Sequence, residues 1–418
     1  MGLIDKAWGA FSRHMVEGHF LRYVREQADE AIFGRLSRYI MVHTSKSVPN
    51  KIFFHTQENK YTCNPKYICE EFRKRGLKVD LVWRIANNNR AGVPLDVRVV
   101  NNGSYEFFKE LFTSKYIITN SVLWVQRAFT LRKDQVLFET WHGSLGFKRF
   151  GKNDYKGSWH WVQSAIKTGE MTDYCITDSS FVSEQLRKTY WPKTPMLEYG
   201  HPRNDILFDG YEELRRKLKT DFFTEHKLEE GTHLIMYGPT FRDSRDFSIY
   251  KIDIDGVLDA MEKRFGGKWI MLLRYHSALA DVYKQRNFIN SSRVIDVTDY
   301  IDMQELMTIA DAGITDYSSW LLDFMMQKKP GFIYAPDVSD YNVERGLCYP
   351  LQEAPFPIAE NNRQMTENIL NFDENSYREH VERFMTGKGC IEDGHASERV
   401  VDKILELMQT DGFTPEKL

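Results

Sequence analysis

Four polar clusters, each just past a short apolar run, carry the chemistry open to this 418-residue chain: Trp141-His142-Gly143-Ser144 with Lys148, Gly238-Pro239-Thr240-Phe241-Arg242, Arg274-Tyr275-His276, and Asp316-Tyr317-Ser318-Ser319. Hydroxyls, small residues and arginines suit phosphate, because N–H and O–H groups donate to its oxygens and a guanidinium clamps two at once. Ser318 or Ser319 is placed to cap a helix over residues 320–327, whose first N–H groups carry the positive end of the dipole. A phosphate there gains about 0.3–1 kcal/mol. The plainer alternative is that the two serines only cap the helix. His142 and His276 each lie past a strand, one in each half of the chain. An imidazole exchanges protons near pH 6.5, and a positioned base is worth about 10²–10⁴-fold. Each histidine has a plainer reading too, as a structural hydrogen-bonding residue. Metal ligation is set aside, since no H-E-x-x-H or close His/Asp spacing is present.

The elements that must position these groups are short strands alternating with helices. Apolar runs at 51–54, 79–83, 116–119, 136–139 and 174–177 make one series, and 234–237, 269–272, 294–295, 313–315 and 332–334 a second. Asn64-Pro65 predicts a helix start, with Gly76 closing the helix. Met303, Leu306, Met307 and Ala310 share one face of another helix. Strands separated by helices mean βαβ units and parallel sheets, whose ligands bind beyond the carboxyl ends of the strands. The break near Gly200-His201-Pro202-Arg203 and the charged helical stretch at 211–228 divide the two series. The expected fold is α/β, with two doubly wound Rossmann-like domains facing a cleft. They occupy residues 47–210 and 211–418, after a helical segment at 1–46.

Composition excludes several classes. A net charge of −3 argues against a protein that binds nucleic acid through bulk positive charge. Five cysteines without a C-x-x-C pair suit a reducing compartment. No apolar run is long enough to cross a membrane, the first residues do not resemble a signal peptide, and Lys6 stands where myristoylation needs a hydroxyl. A cytoplasmic protein is expected. Ile4, Trp8, Phe11 and Met15 fall on one helical stripe that packs on the protein's own body or, alternatively, lies on the inner face of the membrane with Arg22, Arg25, Arg35 and Arg38.

Beyond these readings, the sequence resembles the CDP-glycerol glycerophosphotransferase family of teichoic acid and capsule synthesis. The motifs are Asn64-Pro65, Trp141-His142-Gly143 with Lys148, Gly200-His201-Pro202-Arg203-Asn204-Asp205, Pro239-Thr240-Phe241-Arg242-Asp243, Arg274-x-His276, Thr315-Asp316-Tyr317-Ser318-Ser319, Lys329-Pro330, Tyr341 with Arg345-Gly346, and the run from Asp393 to Arg399, all in the family's order. The resemblance implies a GT-B type fold, with residues 47–210 as the acceptor side and 211–418 as the donor side. It also implies transfer of a polyol phosphate from a CDP-activated donor to a hydroxyl of a lipid-linked or polymeric acceptor, with no cofactor. On that reading His142 is the base and His276 binds or protonates the transferred phosphate. Thr240, Arg242, Arg274, Ser318 and Ser319 hold the diphosphate, Asp316 and Asp323 the nucleoside, and Gly143, Ser144 and Lys148 the acceptor. Ser144-Leu145-Gly146-Phe147 departs from the family's Thr-Pro-Leu-Lys, so acceptor identity is the least secured inheritance. A GT-B glycosyltransferase using a nucleotide sugar is the alternative. An epimerase is disfavoured by Ser318-Ser319 where that turn has Gly-Gly, and a non-catalytic nucleotide-binding partner is a third reading.

Overall fold

The computed structural model describes residues 34–121, 131–149, 159–240, 251–275, 291–338 and 346–417; of residues 159–164 it describes the backbone only. The stripe at Ile4–Met15, Arg242 and His276 lie outside these residues.

The first lobe begins with α1 (Gly34–Thr44) and β1 (Val48–His55), then α2 (Cys63–Lys74), β2 (Asp80–Ile85), β3 (Arg98–Asn101), α3 (Tyr105–Thr113) and β4 (Ser114–Thr119). It continues through β5 (Val136–Glu139), α4 (Trp159–Met171), β6 (Tyr174–Thr177), α5 (Ser180–Thr189) and β7 (Met196–Glu198). The seven strands form a parallel sheet in the order β3-β2-β1-β4-β5-β6-β7. Isoleucine and phenylalanine from neighbouring strands meet in register, Ile52 beside Leu81 and Phe54 beside Ile118. Both faces are covered, so the central strands read as continuous apolar runs. Such a run has no period to betray its edges. The weaker strands β3 and β7 leave no comparable mark in the sequence.

A buried 3-10 turn, Pro202–Leu207, leads to α6 (Glu212–Glu225) and the second lobe. There β8 (His233–Tyr237), α7 (Ile254–Phe265), β9 (Trp269–Leu273), β10 (Val294–Asp296), α8 (Met303–Ile309), β11 (Ala312–Thr315), α9 (Trp320–Phe324), β12 (Gly331–Tyr334) and β13 (Ile358–Ala359) come in turn. The six strands are parallel in the order β10-β9-β8-β11-β12-β13. In each sheet the order reverses once, between β1 and β4 and between β8 and β11, and these reversals open the crevices where α/β sheets bind ligands.

Three local expectations change. Thr62, not Asn64, precedes α2, and Asn64 lies inside it with a buried side chain turned to other work. The helix expected to run to residue 327 stops as α-helix at Phe324 and finishes as a 3-10 turn at Met325–Gln327. The last helices, α10 (Asn362–Leu370), α11 (Glu374–Gly387) and α12 (Ala396–Thr410), do not all stay with the second lobe. Val400, Val401, Ile404 and Met408 of α12 pack into the core of the first sheet, beside Ile68 and Phe72. The chain therefore crosses back after building both lobes, which a boundary drawn once at 210/211 does not capture.

The lobes are joined by buried polar and apolar contacts. Lys66 Nζ reaches Asp302 Oδ2 at 2.5 Å and Glu305 Oε1 at 2.6 Å. Tyr349 donates its hydroxyl to the Leu145 carbonyl at 2.6 Å, and Leu145 and Phe147 enter the second lobe's core.

Candidate active site

His142 is placed by a turn that the chain holds against its own preference. β5 ends at Glu139, and Trp141 takes a left-handed conformation (φ 52°), costly for a bulky residue. Three residues offset that cost. Glu139 Oε1 accepts from the Trp141 N–H at 2.9 Å, Asn64 Nδ2 donates to the carbonyls of Thr140 and Trp141 at 3.0 and 3.1 Å, and the Trp141 indole packs edge-on against Trp191 with ring centroids 5.5 Å apart. Burial pushes the Glu139 carboxyl up to about 8.

The turn leaves His142 half-buried, with Nδ1 2.7 Å from the carbonyl of Asn120, just past β4. A carbonyl can only accept, so Nδ1 carries the proton and Nε2 is the bare nitrogen. Among the described residues Nε2 has no hydrogen-bond partner. Desolvation, then the positive Arg203, lowers the His142 pKa to about 4, while the Asn120 hydrogen bond opposes them. At neutral pH the ring is an uncharged base with a fixed tautomer.

Behind this loop Arg203 joins the lobes. Its Nη1 donates to the His142 carbonyl at 2.7 Å, and its Nη2 donates to Ser144 Oγ at 3.1 Å and pairs with Asp323 Oδ2 at 2.9 Å. Its own N–H is held by Asn64 Oδ1 at 3.1 Å. Asn204 Nδ2 bridges Asp323 Oδ1 and Glu392 Oε1 at 3.1 and 3.0 Å. Asp205 accepts from the Ala396 and Ser397 N–H groups, so the polar run at 200–205 also anchors the start of α12.

On the second lobe, β11 ends in the Asp316-Tyr317-Ser318-Ser319 turn. Asp316 accepts from the Thr240 N–H through Oδ1 and Oδ2 at 2.9 and 3.1 Å and from the Tyr317 N–H at 2.6 Å, which ties this turn to the loop after β8. Trp320 lies over Gly238, where a Cβ would sit 2.8 Å from the indole nitrogen; that nitrogen donates to the Gly238 carbonyl at 3.1 Å. Ser319 precedes α9 without capping it through its side chain, and neither Ser318 nor Ser319 has a side-chain partner among the described residues.

Both loops open on one cavity of about 270 Å³, lined from the first lobe by Trp141, His142, Gly143 and residues 146–149, from α5 by Phe181, Val182 and Gln185, and from the second lobe by Tyr317, Ser318 and Ser319. The wall thus joins a neutral imidazole, Lys148 and Arg149, and two hydroxyls at a helix start. Such a wall can take a proton from a hydroxyl while neutralising phosphate oxygens.

Other residues singled out in the sequence have different surroundings. Ser144 is fully buried, bonded to His201 Nδ1 at 2.8 Å and to Arg203, and does not line the cavity. Asp323, expected on the ribose, is only 2% exposed and is spent on Arg203 and Asn204; Asp316, expected near the nucleoside, is spent on backbone N–H groups. Arg274 Nη1 donates to the carbonyls of Val297 and Tyr300 at 3.0 and 2.7 Å, bracing the loop before α8. Thr240 is buried beside Asp316. The sequence alone assigns no site role to Asn120 or Glu139, and none beyond a motif position to Asn64 or Arg203. Arg203 leaves a signal, a charged residue in a polar run with no strand to carry it.

Comparison with known proteins gives a consistent result. The family model described as CDP-Glycerol:Poly(glycerophosphate) glycerophosphotransferase matches residues 37–406. A teichoic acid poly(glycerol phosphate) polymerase of Staphylococcus epidermidis is 27% identical over 377 residues, covering 85% of this chain and 50% of that protein. A teichoic acid glycerol-phosphate transferase of Staphylococcus aureus is 26% identical over 397 residues, covering 88% of this chain and 97% of that one. The chain spans about half the length of the first polymerases it matches. A structure of the wall teichoic acid polymerase TagF, a variant soaked with CDPG, superposes with a TM-score of 0.76 at 25% identity, over 95% of this chain and 99% of that one. The fold is therefore of the GT-B type, two Rossmann-like lobes about a cleft.

Proposed function

From the premise that this chain belongs to the CDP-glycerol:poly(glycerophosphate) glycerophosphotransferase family, we propose that it transfers glycerol phosphate from CDP-glycerol to a hydroxyl of a lipid-linked or polymeric acceptor in teichoic acid synthesis. The observation that carries the reading is the shared cavity, with His142 on one wall and the Ser318-Ser319 turn on the other.

The donor's diphosphate rests against the Ser318 and Ser319 hydroxyls and the start of α9, with Lys148 and Arg149 on the facing wall. Arg242 and His276, which the family resemblance assigns to phosphate, complete the set in this proposal. The acceptor hydroxyl approaches from the first lobe. Its oxygen attacks the glycerol-bearing phosphorus, and its proton passes to Nε2 of His142. The bond from that phosphorus to the bridging oxygen breaks, and CMP leaves. Asn120 keeps Nε2 bare for this step, and low polarity at the ring keeps it uncharged. Phosphoryl transfer asks chiefly for alignment and charge neutralisation, which two opposed walls supply. Asp316 and Asp323 are left out of nucleoside binding, because the fold already uses their carboxylates.

A membrane-held acceptor fits the outer surface of α1, where Leu36, Tyr39 and Ile40 are exposed beside Arg35 and Arg38. No helix among the described residues is long and apolar enough to cross a membrane.

Incubation with CDP-glycerol, CDP-ribitol and UDP-sugars in turn, with released nucleotide followed by mass, tests the reading. CMP release with a phosphodiester product is expected from a CDP-polyol. Release of a nucleoside diphosphate with a glycosidic product would replace it by the glycosyltransferase reading.

A further inference from the structure

Beneath the cavity lies a cluster that the transfer chemistry does not use. Asp178 sits just past β6, His201 just past β7, and Glu392 just ahead of α12. Asp178 and His201 have no exposed surface and Glu392 has 8%. One donor atom of each lies within 4.8 Å of the other two. His201 Nδ1 is 3.7 Å from Asp178 Oδ2 and 3.8 Å from Glu392 Oε1.

Hydrogen bonding satisfies only part of this cluster. Asp178 Oδ1 accepts from Ser179 Oγ at 2.8 Å, and Glu392 Oε1 accepts from the His201 N–H at 2.9 Å and from Asn204 Nδ2 at 3.0 Å. Asp178 Oδ2, the atom 3.7 Å from His201 Nδ1, is buried with no partner; Glu392 Oε2 and His201 Nε2 also have none, although they are not the atoms at these distances. Buried polar atoms in folded proteins almost always have one.

The charge count points the same way. Arg203, the guanidinium at the seam, is matched by Asp323 at 2.9 Å. Asp205 is matched by the first N–H groups of α12. Asp178 and Glu392 are left facing each other across a neutral imidazole with only neutral donors. Two buried negative charges in excess call for two protons or one ion of charge +2.

We propose that Asp178, His201 and Glu392 bind a divalent cation of the zinc–manganese class at the seam between the lobes. One imidazole nitrogen with two carboxylate oxygens is a donor set that zinc and manganese accept, whereas magnesium and calcium favour oxygen alone. Ligand atoms 3.7 and 3.8 Å apart need only a small contraction to sit about 2.0–2.2 Å from a common ion. Coordination through His201 Nδ1 replaces its hydrogen bond to Ser144. The ion pins the segment ahead of α12 to the strand ends of the first lobe, so the role is structural and does not depend on the transfer reading. The three ligands lie far apart in the chain, at 178, 201 and 392, which is why no spacing motif announces them.

The test uses the full chain stripped with a chelator and titrated with Zn²⁺ and Mn²⁺, with Mg²⁺ and Ca²⁺ as comparisons. Bound metal is counted by mass spectrometry and stability followed by melting. The proposal expects one zinc per chain and a higher melting temperature with zinc, both lost in Asp178→Asn and in Glu392→Gln. Zinc bound equally by those variants, or a wild-type melt that zinc leaves unmoved, overturns it. Should neither variant fold, anomalous diffraction at the zinc edge from wild-type crystals decides. A peak among the three side chains upholds the site, and a peak elsewhere or none overturns it.

Discussion

His142 and the Ser318-Ser319 pair line the same cavity, yet the chain holds them in different ways. The first-lobe loop is tied at nearly every polar atom: Glu139 on the Trp141 N–H, Asn64 on two carbonyls, Asn120 on Nδ1, Arg203 on the His142 carbonyl. The second-lobe turn is pinned beside the serines, through Asp316, the Tyr317 hydroxyl on Asp337 and the Trp320 indole on Gly238, while both serine hydroxyls are left without protein partners among the described residues. The difference matches the tasks proposed for them. A base must present one nitrogen in one tautomer, so every other atom around it is fixed. An anion socket must keep donors unspent, because each donor satisfied by the chain is one fewer for the ligand.

Removing the base is the strongest way to break this contrast. His142→Ala should lower the transfer rate by about 10²–10⁴-fold while leaving CDP-glycerol affinity near wild type. Single-turnover CMP release beside calorimetric binding measures both. Turnover close to wild type would take His142 out of the mechanism.

Next in size is the strut behind the base. Arg203 and Asp323 are both at most 5% exposed at their side chains, so Arg203→Met strands a buried carboxylate. The expected loss of stability is about 3–5 kcal/mol, read by urea denaturation. Arg203→Lys retains the charge but not the fork that reaches the His142 carbonyl, Ser144 and Asp323 together. It should fold and lose kcat more than affinity, since what it disturbs is the placement of His142. A change in KM alone would assign Arg203 to the substrate instead.

The serines come third. Ser318→Ala and Ser319→Ala each remove one donor from the proposed phosphate site and should weaken CDP-glycerol binding by about tenfold, with kcat changed less. A stability loss in these variants would mean that the hydroxyls serve the fold rather than a ligand.

These contrasts also show how far the sequence discloses the molecule. The ten apolar runs marked as strands are all strands, because buried parallel strands are contiguous in sequence and need no partner to be recognised. The cavity loops are legible for the same reason, since the residues just past such a strand are its immediate chain neighbours. The ion pair of Arg203 with Asp323 is not legible, for it joins residues 120 positions apart across two lobes. Nor is the return of α12, whose apolar face looks the same whichever sheet covers it. Asp316 and Asp323 look like ligand carboxylates because sequence shows an acid near a turn but not the N–H groups or guanidinium that consume it.

The smallest expected effect sharpens the comparison furthest. If His142 is the base, only its unprotonated form works. With a pKa lowered to about 4, the rate should stay flat from pH 8 to about pH 5 and fall as pH drops through 4. Desolvation and the Arg203 charge both oppose protonation, so the acid limb lies below the ordinary histidine value of about 6.5. Removing that charge in Arg203→Met should move the limb toward higher pH. Global stability is a poor readout here, because burial pushes the Glu139, Asp178 and Asp205 carboxyls up to about 8, 7 and 6, and acids shifted upward favour the folded state as pH falls, opposite to His142. The rate isolates the one group. The serine variants should keep the wild-type limb, since they change the opposite wall. An acid limb near pH 6.5 in the wild type, or one that moves equally in Ser318→Ala and Arg203→Met, would mean that the titrating group is not the buried imidazole held by Asn120.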